Sequence, residues 1–267
     1  MDFETALNSL LPFIDQTYDD CEATTENIAL KLSAAAKIQC SKGCGACCHF
    51  PLIPATAGEA FVLIARLLGQ GNTFATLSQR FSPYALRYIE KAHSLGYIPF
   101  TDEQQKVFFD RKDPCPLYIV ADSSDSHNGY CGAFSARPLI CGYFNSTQSP
   151  KLCAAKKPHE SVVEIIEKGE QSVEEIRAHE RSIFGRSALG HLPLLLASLC
   201  TERGMAEFLK NYPLELEDFD SLADAQSWND FSLYCKLLDC IGYTVTAKDL
   251  RALAQAQEEL ALRNSLN

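Results

Sequence analysis

Positive charge is scarce in this sequence. Lys and Arg number 24 against 34 Asp and Glu, which leaves a formal net charge of −10. A chain with that balance offers no broad basic face to a phosphate backbone, so nucleic acid is not expected as a partner. Residues 1–30 hold seven acidic residues and no Lys or Arg, so the basic opening of a secretory leader is missing. Long apolar runs are missing as well. The longest, Leu192–Cys200, has nine residues, where a membrane-spanning helix needs about 20. The expectation is a cytoplasmic protein with no membrane partner. Internal repeats and long low-complexity tracts are also absent, which argues against solenoids and collagen-like chains. No G-x-G-x-x-G motif follows a predicted strand, and strands do not alternate with helices, so a nucleotide-binding βαβ layout is not expected.

Cysteine is what the chain has in excess. There are 12 in 267 residues, still below the roughly 8–10% of a small secreted disulfide scaffold. A chain of this length can bury a core without staples. In a reducing cytoplasm, clustered thiols are metal ligands or redox groups more often than disulfides. Eight of the 12 fall within residues 40–153: Cys40, Cys44, Cys47, Cys48, Cys115, Cys131, Cys141 and Cys153. The other four, Cys21, Cys200, Cys235 and Cys240, are spread over the rest and read as ordinary core or surface thiols. Cys235 and Cys240 lie about 140° apart around a helix, too far round to share an ion.

The spacing of apolar residues predicts a mainly α protein. One or two helices are expected over about 4–38, from Phe3, Leu7, Leu10, Leu11, Ile14 and Tyr18 onward. Thr56-Ala-Gly-Glu59 is a capping-box pattern and predicts a helix over about 57–69. Ser82-Pro83 reads as the start of another, ending near Gly96, with Pro at the first helical position. Thr101–Gln104 opens a short one to about 110. Residues 40–54 are expected to be an irregular loop. Leu117–Ala121 and Tyr130–Phe134 are expected to pair as a short hairpin around the polar DSSDSHNG stretch. Further helices are expected over about 160–184, 192–211, 221–241 and 247–264. In organisation this gives an N-terminal helical segment (1–39), a cysteine-cluster region (40–155) and a C-terminal helical extension (156–267) packed on the same domain.

Cys40-x3-Cys44-x2-Cys47-Cys48 is the strongest local signal. Two or three residues between thiolates let two sulfurs reach one ion without strain. Gly43 and Gly45 let the backbone wrap closely, since glycine tolerates positive φ. Adjacent cysteines point in different directions, so Cys47 and Cys48 suggest two centres, or one ligand with one supporting thiol. The four downstream cysteines complete the shells. All-thiolate sets suit zinc and iron–sulfur clusters alike, so the cofactor is expected to be one of these. Either carries a formal charge of about −2 with four thiolates, and burying it calls for positive charge or N–H donors. Arg137 fits that role; the plainer reading is a surface ion pair. His49, directly after the cluster, reads as a supporting or solvent-facing residue, with a ligand or donor role as the alternative, and His127 as solvated.

These motifs carry a resemblance. CSKGCGACC at 40–48, CPLY at 115–118 and YCGAFSARPLICGYF at 130–144 resemble the YkgJ-type cysteine-cluster family, the CxxCxxCC or zinc- or iron-chelating domain. The resemblance covers roughly 38–155 and places all eight cysteines, with Arg137-Pro138 at the family's Arg-Pro step. Two departures stand out: the first gap is three residues instead of two, and Gly142 replaces an arginine. The resemblance implies metal binding with a structural, redox or metal-handling role, and a redox or protein partner. Some members are described as flagellin lysine N-methylases, which implies, as the alternative, a lysine N-methylase-like enzyme using S-adenosylmethionine. A radical S-adenosylmethionine enzyme would also fit the Cys40, Cys44, Cys47 spacing, but Ala46 stands where such enzymes carry an aromatic residue. The C-terminal helices read either as a docking surface or as self-packing, with Trp228, Phe231 and Tyr234 as a buried stripe.

Overall fold

A computed structural model describes residues 1–33, 37–40, 45–49, 53–94, 114–122, 125–133, 136–149, 161–211 and 222–243. It is mainly helical, with two small antiparallel sheets. The expected helices at 101–110 and 247–264 lie outside the described residues.

Helix α1 is one long element, Phe3–Lys31. The Asp2 carboxylate accepts from the Thr5 N–H at 2.8 Å and caps it. Ala6, Leu10, Ile14, Thr17 and Cys21 recur on one face and are buried, mainly against α5 (Val163–Phe184). The helix stops at Lys31, short of the expected 38. Helix α2, Ala57–Gly69, has the expected bounds, because both halves of the Thr56/Glu59 capping box form. Nearly all of its first half is buried, which places it at the centre of the packing.

Helix α3 departs from expectation. It runs Phe74–Ser94, with Pro83 inside it and not at its start. Leu77, Phe81, Tyr84, Ala85, Tyr88 and Ile89 are buried along one continuous face. That burial offsets the single backbone bond that Pro83 removes. The expected helix over 192–211 is two: α6, Leu192–Leu199, and α7, Glu202–Phe208. The break comes at Thr201, whose hydroxyl accepts from the Gly204 N–H at 2.9 Å and starts the second helix. Helix α8, Leu222–Asp239, packs against α6 and α7. Tyr234 fills the space over Gly190, where a Cβ would overlap its ring. The side chains of Trp228 and Phe231 lie outside the described residues.

Strands β1 (Pro54–Thr56) and β4 (Leu189–His191) pair antiparallel and join α2 to the end of α5. Strands β2 (Tyr118–Asp122) and β3 (Asp125–Cys131) form the expected hairpin. It is tighter than expected: Tyr118 faces Cys131 and Asp122 faces Asp125, so most of the polar stretch is strand. Helix α4, Leu139–Tyr143, is a single turn following Arg137-Pro138.

Among the described residues three acidic side chains are buried: Glu59, Glu180 and Asp230. Glu180 accepts from the Gly58 N–H at 2.8 Å and the Ser187 hydroxyl at 2.7 Å. Burial pushes its carboxyl up from 4.5 to about 7. The folded carboxyl therefore keeps its proton to higher pH than the unfolded one. Stability from this group is full below about 4.5, falls as pH rises toward about 7, and levels off above. Glu180→Gln stays neutral and removes that fall. Thermal melts from pH 5 to 8 should show a flatter dependence in the variant; parallel curves would contradict the assignment.

Candidate metal centre

Six of the eight singled-out cysteines are described: Cys40, Cys47, Cys48, Cys115, Cys131 and Cys141. Cys44 and Cys153 lie outside the described residues. Cys40 is exposed. Its neighbour Gln39 donates its N–H to the Ser146 carbonyl at 2.8 Å, which ties this segment to the chain beyond α4.

The other five thiols come from three parts of the chain. Cys47 and Cys48 sit on a 3₁₀ turn, Ala46–His49, within the stretch expected to be irregular. Cys115 precedes the hairpin and Cys131 ends it, while Cys141 lies on α4. A backbone bond ties the first two parts together, the Cys115 N–H donating to the Cys48 carbonyl at 2.7 Å, and the Gly132 N–H closes the hairpin by donating to the Leu117 carbonyl at 2.8 Å. The Tyr118 ring fills the space between them. A Cβ on Gly45 or Gly129 would overlap that ring. Gly45 is thus needed for close approach; it is not among the glycines of positive φ. His49 is buried, not solvent-facing, with its ring edge-on to Tyr118 at 5.1 Å. His127 falls in β3, and its side chain lies outside the described residues.

The thiols act on one another. The Cys48 S–H donates to Cys47, which brings the Cys47 thiol down to about 7 against the opposing effect of burial, with Arg137 assisting. Cys48 moves the other way: donation to Cys47, burial and the nearby Cys47, Cys115 and Cys141 all raise it. Burial pushes Cys115 up to about 12, with Cys131 and Cys47 adding repulsion. Burial also raises Cys131, and raises Cys141 well above the ordinary thiol value. Arg137 opposes the rise at both. Arg80, unremarked in the sequence, does the same at Cys115 and Cys131, and its Nε donates to the Pro116 carbonyl at 2.7 Å.

Arg137 occupies a second informative position. A Cβ on Gly142 would lie 3.9 Å from its Nε. The Arg137 chain thus runs over the spot where the resembled pattern carries its arginine. It also lines a cavity of about 460 Å³ between α1 and α4, with Tyr18, Glu22 and Tyr143 among the other walls.

The five thiols are soft donors with Arg137 and Arg80 nearby; Cys115 is buried, and Cys47, Cys48, Cys131 and Cys141 are half-buried. The thiols are gathered without being closed on one point. Among the described residues, no group of three His, Cys, Asp or Glu side chains could hold a metal ion. Cys21 and Cys200 are buried and Cys235 and Cys240 half-buried; Cys21 lines the same cavity as Arg137. The chain matches no family model, no curated protein and no solved structure. Among the described residues no helix is long and apolar enough to cross a membrane.

Proposed function

We propose that the chain is a metal-binding protein holding zinc or an iron–sulfur centre through cysteine thiolates, with a structural, redox or metal-handling role. The observation that supports this reading is that Cys47, Cys48, Cys115, Cys131 and Cys141, from three parts of the chain, lie near enough to act on one another, with Arg137 beside Cys47, Cys131 and Cys141 and Arg80 beside Cys115 and Cys131. Buried thiols kept only as core filler would not need two arginines nearby, nor a turn and a hairpin clamped by glycine close approaches. Cys40, Cys44 and Cys153 complete the proposed ligand set, as the resemblance to the cysteine-cluster family implies. A cytoplasmic setting, with a redox or protein partner, fits this use of thiols.

The residues would serve as follows. Cys47, already the most acidic of the five, is the first thiolate offered to an ion. Cys48 gives its proton to solvent on binding, or remains as a donor to the Cys47 sulfur. Cys115, Cys131 and Cys141 are held protonated by burial, so binding releases their protons. Arg137 and Arg80 then balance the thiolate charge. When bound, zinc would supply a closed structural staple, or an iron–sulfur cluster an electron-transfer group.

Thiol counting tests this. Anaerobically purified protein, treated with a thiol-reactive disulfide before and after strong chelation, should expose about four further reactive thiols per centre removed. An unchanged count after chelation would contradict the proposal.

A further inference from the structure

We infer that Glu59 is the positioning residue of this centre: its buried carboxylate fixes the start of α4 and so holds Cys141 among the other thiols. The inference rests on the thiolate reading above. Glu59 is 2% exposed, and both of its oxygens accept hydrogen bonds. Oε2 takes the Thr56 N–H at 2.8 Å, the ordinary second half of a capping box. Oε1 reaches out of α2 altogether. It accepts the Tyr18 hydroxyl of α1 at 2.9 Å and the Leu139 N–H of α4 at 2.8 Å.

The last bond is the informative one. Leu139 is the first residue of α4 and is buried, and the residue before it, Pro138, makes no side-chain cap. Its N–H belongs to the helix-start donors that have no partner within the helix, and burial keeps water from serving. Glu59, 80 residues away in the chain, meets that need. A five-residue helix has no stability of its own. Its placement is set by what holds its first turn. Cys141 follows Leu139 by two residues, and its N–H donates to the Pro138 carbonyl at 2.9 Å. Displacing the start of α4 therefore displaces the Cys141 sulfur. Glu180 is the contrast: equally buried beside the start of α2, it receives the Gly58 N–H and the Ser187 hydroxyl, neither on α4.

Because both oxygens face N–H donors, Oε1 that of Leu139 and Oε2 that of Thr56, an amide is a poor replacement; its NH2 end must face one of them. Aspartate keeps the charge and falls one methylene short. The test uses the full chain, metal-free and anaerobic, as wild type, Glu59→Gln, Glu59→Asp and Glu180→Gln, each checked for helix content by circular dichroism. Cobalt(II) is the probe, read by sulfur-to-cobalt charge-transfer absorption. In parallel, mass spectrometry follows alkylation of Cys141 by iodoacetamide without metal. In Glu59→Gln the charge-transfer band should fall by about one quarter, for one of four thiolates lost. Cys141 should alkylate about tenfold faster, as expected when a local turn is released. Glu59→Asp should recover part of both signals, and Glu180→Gln should match wild type. Wild-type behaviour of Glu59→Gln in both readouts would overturn the inference alone. Wild-type protein that takes up no cobalt would overturn the thiolate reading and the inference with it. Should Glu59→Gln fail to fold, Glu59→Asp decides: a full band and an unchanged Cys141 rate there would overturn the inference.

Discussion

Cys141→Ser is expected to abolish metal retention while leaving the helical fold in place. Cys141 is the sole described thiol contributed by α4, and it feels the charge of Cys47 on the 3₁₀ turn and of Cys115 and Cys131 at the hairpin. Serine is close to isosteric, so the packing of Leu139 and Tyr143 on either side survives. What disappears is a sulfur that zinc or iron strongly prefers over a hydroxyl. Changes to residues that merely support a ligand typically cost about 10–100-fold in affinity. Loss of a ligand itself should cost at least about 100-fold, enough to strip the ion during purification. Cys235→Ser is the matched control. Cys235 is half-buried on α8, and burial alone pushes its thiol up to about 11, with no other thiol or arginine involved. That variant should retain wild-type metal content. Equal metal in both variants would refute the assignment of Cys141.

The largest loss of stability is expected at Asp230. One of its oxygens accepts from Arg177 at 3.0 Å and from Arg181 at 3.0 and 2.7 Å; the other accepts the Ser187 N–H at 2.9 Å. The carboxylate side chain is 5% exposed and the two arginines 18% and 24%. Asp230→Ala leaves two half-buried guanidinium groups facing each other and a buried N–H without its acceptor. Breaking such an arrangement from one side costs about 3–5 kcal/mol. The arginines keep some access to water, so the lower end applies, about 3 kcal/mol. At about 2–4 °C per kcal/mol for a chain of this size, the melting temperature should fall by about 6–12 °C. Asp230→Asn keeps the shape and loses the charge, so it should fall between. A drop under about 2 °C for Asp230→Ala would show that this junction between α5 and α8 is not needed for stability.

Both predictions concern residues that a linear reading treats unequally. Cys141 stood out in the sequence because it belongs to the cysteine-dense stretch 40–153 and to a motif that carries the family resemblance. Asp230 did not, because its partners lie 43 to 53 residues away and nothing local marks them. The same divide runs through the fold. Helix α2 was legible to its ends because the capping box is written in four consecutive residues. Strands β1 and β4 were invisible: three residues each, far apart in the chain, too short to show alternation. Pro83 misled because the sequence shows its helix-start preference but not the buried face of α3 that overrides it. At the centre, the cysteines could be read but their clamp could not. Tyr118, Arg80 and Glu59 matter through what they touch. The small size of Gly45 and Gly129 becomes informative only once the Tyr118 ring is seen between them. A Thr-x-x-Glu box signals one end of Glu59's role and hides the other, at Leu139.

The measurement closest to the central claim is anaerobic purification followed by elemental analysis and a visible absorption spectrum on the same sample. The account predicts at least about one equivalent of zinc or iron per chain. Iron with sulfide and a broad band near ~400 nm would identify an iron–sulfur protein, and colourless protein with zinc a closed thiolate site. Protein carrying less than about a tenth of an equivalent of either metal would contradict it.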